Sequence, residues 1–420
     1  MASGRTGMFY GWRVVHAAFV LAFFGWGLGF FGPPVFLSVI REATGWSLAL
    51  ISAAISVHFL AGAVTGANLP ALYRCMGTAS VTKLGALSMA CGIVGWATAT
   101  SPWHLFVAAG LSGTGWGTMS AAAMNAIVSP WFVRARPAAL GMAYNGGSVG
   151  GITFSPLWVA AIGMLGFPAA AAAIGIVLVL TLWMLADLVF SRTPEKMGLR
   201  PDGDEPGAPA TRVTSAAARP LPGRLLWRDR RFLTLSAGMG LGLFAQIGMT
   251  AHLYSLLVPA LGAQQAGLAM GLITLMALTG RTLLGWLMPA GADRRLVACG
   301  GYAAQFAGSI VLVLAAGTSV PLLLTGVVLF GAGFGNATSL PPLIAQVEFV
   351  EEDVPRAAAL IIAVAQTGYA FAPAFFGLIR EFTANGAGMA PGAAPALFAA
   401  AAFVQGLAIA AFLAGRGPRY

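Results

Sequence analysis

The chain has 420 residues, of which 58% are hydrophobic and only 9% charged, with a formal charge of +10. Soluble domains carry about 25% charged residues, so this composition excludes a water-soluble globular protein and calls for a bilayer around most of the chain. Cys75, Cys91 and Cys299 are far apart and show no metal-ligand spacing; they read as small apolar residues, and no cofactor or metal is expected.

In chain order, the hydropathy predicts spans over about 14–38, 47–70, 80–99, 103–128, 138–160 and 167–190. Six more follow at about 231–260, 266–289, 296–316, 321–346, 356–378 and 396–415. Each is long enough for a helix crossing a hydrocarbon layer of about 30 Å. The opening MASGRTGMFYGWRVV lacks the small-residue cleavage pattern of a removed signal peptide, so the first segment is expected to be a retained span. Residues 191–230 are rich in Pro, Gly and mixed charge and are too polar to cross a membrane, although a short surface helix is expected near Leu225–Trp227. The expectation is an all-α integral membrane protein of twelve transmembrane helices. Its parts are a first six-helix bundle over 1–190, a linker over 191–230 and a second bundle over 231–420.

Charge sets the orientation. With the N-terminus inside, 20 of the 23 Lys and Arg fall on the cytoplasmic side, leaving Arg41 and Arg380 opposite and Arg281 within a span. Both termini are therefore expected in the cytoplasm. The positive charge is accounted for by an anionic inner leaflet, and no nucleic-acid partner is implied.

The two halves carry a faint internal symmetry. Span 5 opens with RPAALGMAYNGGSVGG and span 11 with PRAAALIIAVAQTGYAFAP, each a basic residue followed by small side chains. Glycine series such as Gly110–Gly113–Gly117, Gly141–Gly146–Gly150 and Gly331–Gly333–Gly335 predict close helix packing. Pro33 and Pro34, Pro156, Pro259, Pro341 and Pro342, and Pro373 are expected to bend their helices.

Arg281 is the sharpest single feature. It lies deep in span 8 with Ala277 one turn before it, and the acids found within spans, Asp187 and Glu348, are near span ends. An arginine at such depth faces a bundle interior or a watery cavity. Without a counter-charge it suits a substrate carboxylate, which its planar fork can bind bidentately. The competing reading is structural, through carbonyls or Gln246 and Gln366. One deep positive charge points to a monoanion. Asn336, Tyr369, Asn145, Gln366 and Tyr144 are candidate neutral donors toward the solute, and His58 is either a proton carrier or a packing histidine. No GxxxxGK[ST], HExxH or CxxC pattern is present, and nothing fixes a nucleophile beside a base, so no catalytic residue is assigned.

The opening YGWRVV, the stretch LSVIREATGWSLALIS and the run from Trp131 to Ala143 (WFVRARPAALGMA) carry a resemblance. Together with Arg281 in span 8 they resemble the major facilitator superfamily, and within it the monocarboxylate-transporter branch with its bacterial oxalate/formate-exchanger-like relatives. The resemblance implies the major facilitator fold, two pseudo-symmetric bundles around a central cavity, in the inner (plasma) membrane of a bacterium. It also implies a carboxylate-binding role for Arg281 and gating or structural roles for Arg134, Arg136, Pro33 and Pro34. The departures are specific: Ala277 stands where animal members have an acid, Pro33–Pro34 where they have a lysine beside the proline, and GANLPALYRCMG lacks the acid of the superfamily motif. Span 11 also has only neutral Gln366 and Tyr369 where the oxalate exchanger has a second basic residue.

The resulting expectation is secondary active transport of a small organic monocarboxylate by alternating access, coupled by proton symport or by anion exchange, in a protein that works as a monomer. The alternatives are a facilitator-type exporter of drug-like or other organic solutes, and a transporter-like solute sensor.

Overall fold

The computed structural model describes residues 9–203, 223–289, 292–350, 353–383 and 390–416. Of the basic residues assigned to the cytoplasmic side, Arg5, Arg212, Arg219 and Arg419 lie outside these ranges, as does most of the linker. All regular structure among the described residues is helical.

Span 1 runs over Tyr10–Thr44, span 2 over Leu48–Met76, span 3 over Thr78–Thr98, span 5 over Arg136–Leu165 and span 6 over Phe167–Phe190. In the second half, span 7 covers Arg230–Leu261, span 9 Arg294–Ala315, span 10 Val320–Glu348, span 11 Arg356–Thr383 and span 12 Pro395–Ala414. Span 8 is the helix Ala263–Leu287. Among the described residues, eleven helices are thus long and apolar enough to cross a membrane. The remaining segment, span 4, is divided into Pro102–Met119 and Ala121–Val128. The division falls at Ser120, whose backbone is extended and whose hydroxyl donates to the Gly117 carbonyl at 2.8 Å. The linker's surface helix is a single turn, Gly223–Leu226, two residues before span 7's cap begins.

Aspartates start two of the helices. The Asp229 carboxylate accepts from the Arg231 and Phe232 N–H groups, and Asp293 accepts from those of Arg295 and Leu296. Each cap satisfies two donors that the first helical turn leaves open.

The halves repeat one packing scheme. Span 1 lies on span 5 as span 7 lies on span 11, and span 3 contacts spans 4 and 6 as span 9 contacts spans 10 and 12. Small residues set these approaches. A Cβ at Gly146 or Gly150 would overlap the carbonyls of Phe19 or Phe23 in span 1, and one at Gly333 would overlap the Gly301 carbonyl in span 9. Between membrane helices such close backbone contact supplies the attraction that burial supplies in water. Gly110 and Gly141 face open space, so these two members of the glycine series have no packing role.

Charged groups on the face carrying the chain ends pair within their own half. Lys83 meets Asp187 at 2.5 Å, and Arg416 meets Asp293 at 2.8 Å. Arg295 grips both Glu348 oxygens, at 2.5 and 2.7 Å. It also donates to Thr234 and to the carbonyls of Phe412 and Arg231, so its guanidinium ties spans 7, 9, 10 and 12 together.

The loop between spans 4 and 5 is fixed to the linker in a similar way. Asp202 accepts from the N–H groups of Val133, Arg134 and Ala135 at 3.0, 2.8 and 3.2 Å. Burial works against its charge, but these three donors and the Arg134 guanidinium outweigh that and hold its carboxyl below the usual range. Arg136 completes the turn by donating to the Phe132 and Ser129 carbonyls. A carboxyl with a depressed folded-state pKa stabilises the fold above the unfolded value, near 4, and loses that effect as pH falls through the lower folded value. Limited trypsin digestion at pH 7 checks the anchor: Asp202→Asn should be cleaved after Arg134 several-fold faster than the native protein. Equal cleavage of the two proteins would remove Asp202 as the anchor.

The halves meet mainly at the end of the molecule away from the chain termini. There span 8 packs Gly267 and Gly271 against Ser155, Pro156 and Ile152 of span 5. The Ala374 N–H in span 11 donates to Ser56 Oγ in span 2 at 3.0 Å, and Glu381 accepts from the Ala49 N–H at 2.6 Å. Nearer the membrane centre, Phe59 stands edge-on to Tyr369 and Phe30 edge-on to Phe334. On the terminal side, Ala121–Val128 and Asn336–Glu348 pack within their own halves. The structure is therefore closed on the face away from the termini and open on the face that carries them.

Candidate substrate cavity

Arg281 comes from the part of span 8 nearer the chain-terminal face, where Gly335 of span 10 lets the chain pass. A Cβ at Gly335 would lie 3.3 Å from Arg281 Nε and would overlap the Ala277 carbonyl. The guanidinium crosses toward the other half, where its Nη2 reaches Ser148 Oγ of span 5 at 3.5 Å, a marginal hydrogen bond. Its Nε is buried with no acceptor. No carboxylate pairs with it among the described residues, because Asp187 is held by Lys83 and Glu348 by Arg295. Ser148 follows Gly147, which lies flat against the Trp26 indole, and Trp26 packs edge-on against Trp116. The result is a single positive fork between the halves, with the Ser148 hydroxyl beside it and unfilled donor capacity.

Trp26 lies within a bulge. Residues Gly25–Phe30 form a π-helical turn, closed by the Phe31 N–H donating to the Trp26 carbonyl at 2.9 Å. Pro33 has no N–H to offer the carbonyl four residues back, Gly29. That carbonyl is taken by His58 Nε2 at 2.8 Å, and the Trp158 indole N–H donates to Gly27 at 3.3 Å. His58 Nδ1 meets Ser112 Oγ at 2.8 Å, and the same oxygen accepts from the Trp96 indole. So Pro33 and Pro34 do not simply bend span 1; they restart it after a bulge that His58 and Trp158 hold. His58 is buried in this network inside the first half and shares no hydrogen-bond partner with Arg281. His58→Leu leaves the Gly29 carbonyl buried without a donor, which costs about 1–3 kcal/mol. Thermal unfolding of the detergent-solubilised protein should show a lowered Tm for His58→Leu, partly restored in His58→Gln. An unchanged Tm would mean that the bulge does not depend on this ring.

The other candidate residues are dispersed. Tyr369 stands in the aromatic contact with Phe59, with Gln366 one turn before it in reach of its hydroxyl. Tyr144 accepts from Asn125 at 2.7 Å and donates to the Ala121 carbonyl, at the terminal end of spans 4 and 5. Asn145 is half-buried, three residues before Ser148. Asn336 turns into the second half, lining a crevice with Gly301 and Tyr302 of span 9, and its Oδ1 has no partner. Arg134 and Arg136 hold the span 4–5 loop. Ser148, the partner of Arg281, is the residue that sequence reasoning passed over; its signal was a place in the small-residue run of span 5, one helical turn from Asn145.

A family model supplies the frame for this arrangement. The model for the Major Facilitator Superfamily matches residues 15–377. The chain belongs to the major facilitator superfamily. Its twelve-segment helical architecture is that fold, and the protein is a multi-pass membrane transporter rather than an enzyme. Among solved structures, the chain is similar to the nucleoside transporter NupG, with 15% identity, coverage of 97% of this chain and 99% of that one, and a TM-score of 0.70. It is also similar to a bacterial homologue of the human lysosomal transporter Spinster in an inward-facing, unoccupied conformation. There the identity is 15%, the coverage 98% and 95%, and the TM-score 0.65. At such identity these likenesses establish the fold and no substrate. No curated protein sequence matches the chain.

Proposed function

We propose that this transporter carries a small organic monocarboxylate by alternating access, with Arg281 as the group that binds the carboxylate. The observation that carries the reading is the isolation of Arg281: a guanidinium between the halves, half-buried, touching one hydroxyl at 3.5 Å and no acid among the described residues. A buried unpaired charge is costly, and a carboxylate seated on the fork removes that cost while bonding bidentately. In this reading Ser148, which the guanidinium reaches, meets the rest of a short solute, while Asn145, Tyr144, Gln366, Tyr369 and Asn336 are candidates for contact as the halves rock. The resemblance of WFVRARPAALGMA and of Arg281 to the monocarboxylate-transporter branch points the same way. An exporter of cationic drugs would call for a membrane-embedded acid, and both span-end acids are engaged in local pairs.

The coupling follows from the same charge. A carrier returning empty must occlude Arg281 uncompensated, whereas a loaded carrier is locally neutral. Ala277, in place of an acid one turn before Arg281, leaves no neighbouring carboxylate to take a proton. Exchange of one monocarboxylate for another is therefore favoured over proton symport, with His58 as the group that symport would have to use. In this reading the protein lies in a bacterial plasma membrane with its termini in the cytoplasm, and the open face receives cytoplasmic solute.

Uptake of radiolabelled short and aromatic monocarboxylates into proteoliposomes tests the proposal, with and without an inward proton gradient and with and without unlabelled monocarboxylate inside. Saturable flux stimulated by internal solute is expected. Flux driven by the proton gradient alone would replace exchange by symport, and an absence of any monocarboxylate flux would overturn the assignment.

A further inference from the structure

The face away from the termini holds a second place where positive charge is left without a partner. Arg41 ends span 1 and Arg380 ends span 11, and each is followed in sequence by a glutamate, Glu42 or Glu381. These neighbours do not pair. Glu381 turns to the first turn of span 2, where it accepts the Ala49 N–H at 2.6 Å. Arg380 turns the other way and donates to Ser255 Oγ of span 7 at 2.6 Å. Arg41 is exposed and makes no side-chain hydrogen bond or ion pair among the described residues.

Both arginines line one cavity of about 470 Å³, and it lies between the halves. Trp46 and Leu48 from the first half and Leu256 from the second supply its apolar wall. That volume is within the range of small-molecule sites, about 300–1,000 Å³. Glu381 lines the same cavity, but one of its carboxylate oxygens is taken by the Ala49 N–H; with two guanidinium groups against one carboxylate the space keeps a net positive charge, which an anion between the arginines offsets. The wall of indole and leucine suits a ligand with a compact apolar body.

We infer that this cavity is a second anion site, one that binds a small carboxylate with an apolar or aromatic body and bridges Arg41 of one half to Arg380 of the other. It is separate from Arg281, which reaches Ser148 nearer the open face, and it does not depend on the role given to Arg281. Because its two arginines come from opposite halves and the cavity exists while that face is closed, an anion bound there favours the closed face over the open one.

Equilibrium binding of radiolabelled benzoate to the intact protein in phosphatidylcholine nanodiscs tests the inference. Wild type, Arg281→Gln, Arg41→Gln and Arg380→Lys are compared; Arg41 is exposed and partnerless, so its variant is expected to fold normally. The inference predicts that Arg41→Gln weakens one binding component about tenfold or more, the loss of a charge-assisted contact. It predicts that this component survives in Arg281→Gln, whether or not Arg281 binds solute. Phosphatidylglycerol nanodiscs identify the source of the anion: competition with benzoate would assign a lipid headgroup to the same two arginines, and its absence a free solute. Benzoate binding unchanged in both Arg41→Gln and Arg380→Lys would overturn the site.

Discussion

Arg281→Gln is expected to abolish saturable monocarboxylate flux while leaving the protein folded. Truncating one partner of a buried, hydrogen-bonded charge pair costs about 2–5 kcal/mol, which corresponds to a loss of roughly thirty-fold to several-thousand-fold in binding. Folding should survive, because among the described residues Arg281 makes one long hydrogen bond and no ion pair. Removing it relieves an uncompensated charge instead of creating one, so the variant's Tm should equal or exceed that of the native protein. Arg281→Lys keeps the charge but loses the planar fork and is expected to retain weak, less selective flux. Transport assays normalised to folded protein, alongside thermal unfolding, separate the two effects. A variant that transports normally would make the arginine structural, and one that fails to fold would show that Ser148 and the neighbouring carbonyls use it as a brace.

The second large effect is expected at the closed face. Glu381 carries a full charge to the N-terminal turn of a helix in the opposite half, where the unpaired N–H groups and the helix dipole both favour an anion. Glu381→Gln keeps the size and one acceptor oxygen but removes the charge. The expected loss is about 1–3 kcal/mol of closed-state preference, a shift of roughly 5- to 150-fold in the equilibrium between the closed and open faces. Double electron–electron resonance between spin labels at Ala43 and Phe382, in a background with Cys75, Cys91 and Cys299 replaced, reads this directly. A longer-distance population should grow in Glu381→Gln. Identical distributions would show that the small-residue contacts of spans 5 and 8 hold the face closed by themselves.

Much of this architecture was legible before any coordinates. The alternation of apolar stretches with short charged clusters placed the twelve segments to within a few residues, because a bilayer leaves the backbone few alternatives to the helix. The cost of arginine in a span singled out Arg281, and the lack of nearby acids already suggested that it waits for an anion. Other features required the fold. The pairing of Arg295 with Glu348 joins residues from spans 9 and 10, and nothing in their local sequence distinguishes it from a surface charge. The break at Ser120 is invisible to hydropathy, since a serine between Met119 and Ala121 reads as ordinary helix. His58 illustrates the intermediate case. Pro33 announces that the Gly29 carbonyl lacks its helical donor, but which side chain takes that carbonyl depends on how spans 1 and 2 face each other. Ser148 was passed over for the same reason, being one small residue among many until span 8 brings Arg281 to it.

Solute counterflow separates carboxylate exchange on Arg281 from transport of a neutral solute. Proteoliposomes preloaded with unlabelled propionate would be diluted into tracer benzoate, with uridine as a neutral comparison solute. Transient accumulation of benzoate is expected, competed away by propionate, untouched by uridine and lost in Arg281→Gln. Counterflow of uridine that persists in Arg281→Gln, with none of either carboxylate, would contradict carboxylate exchange on Arg281.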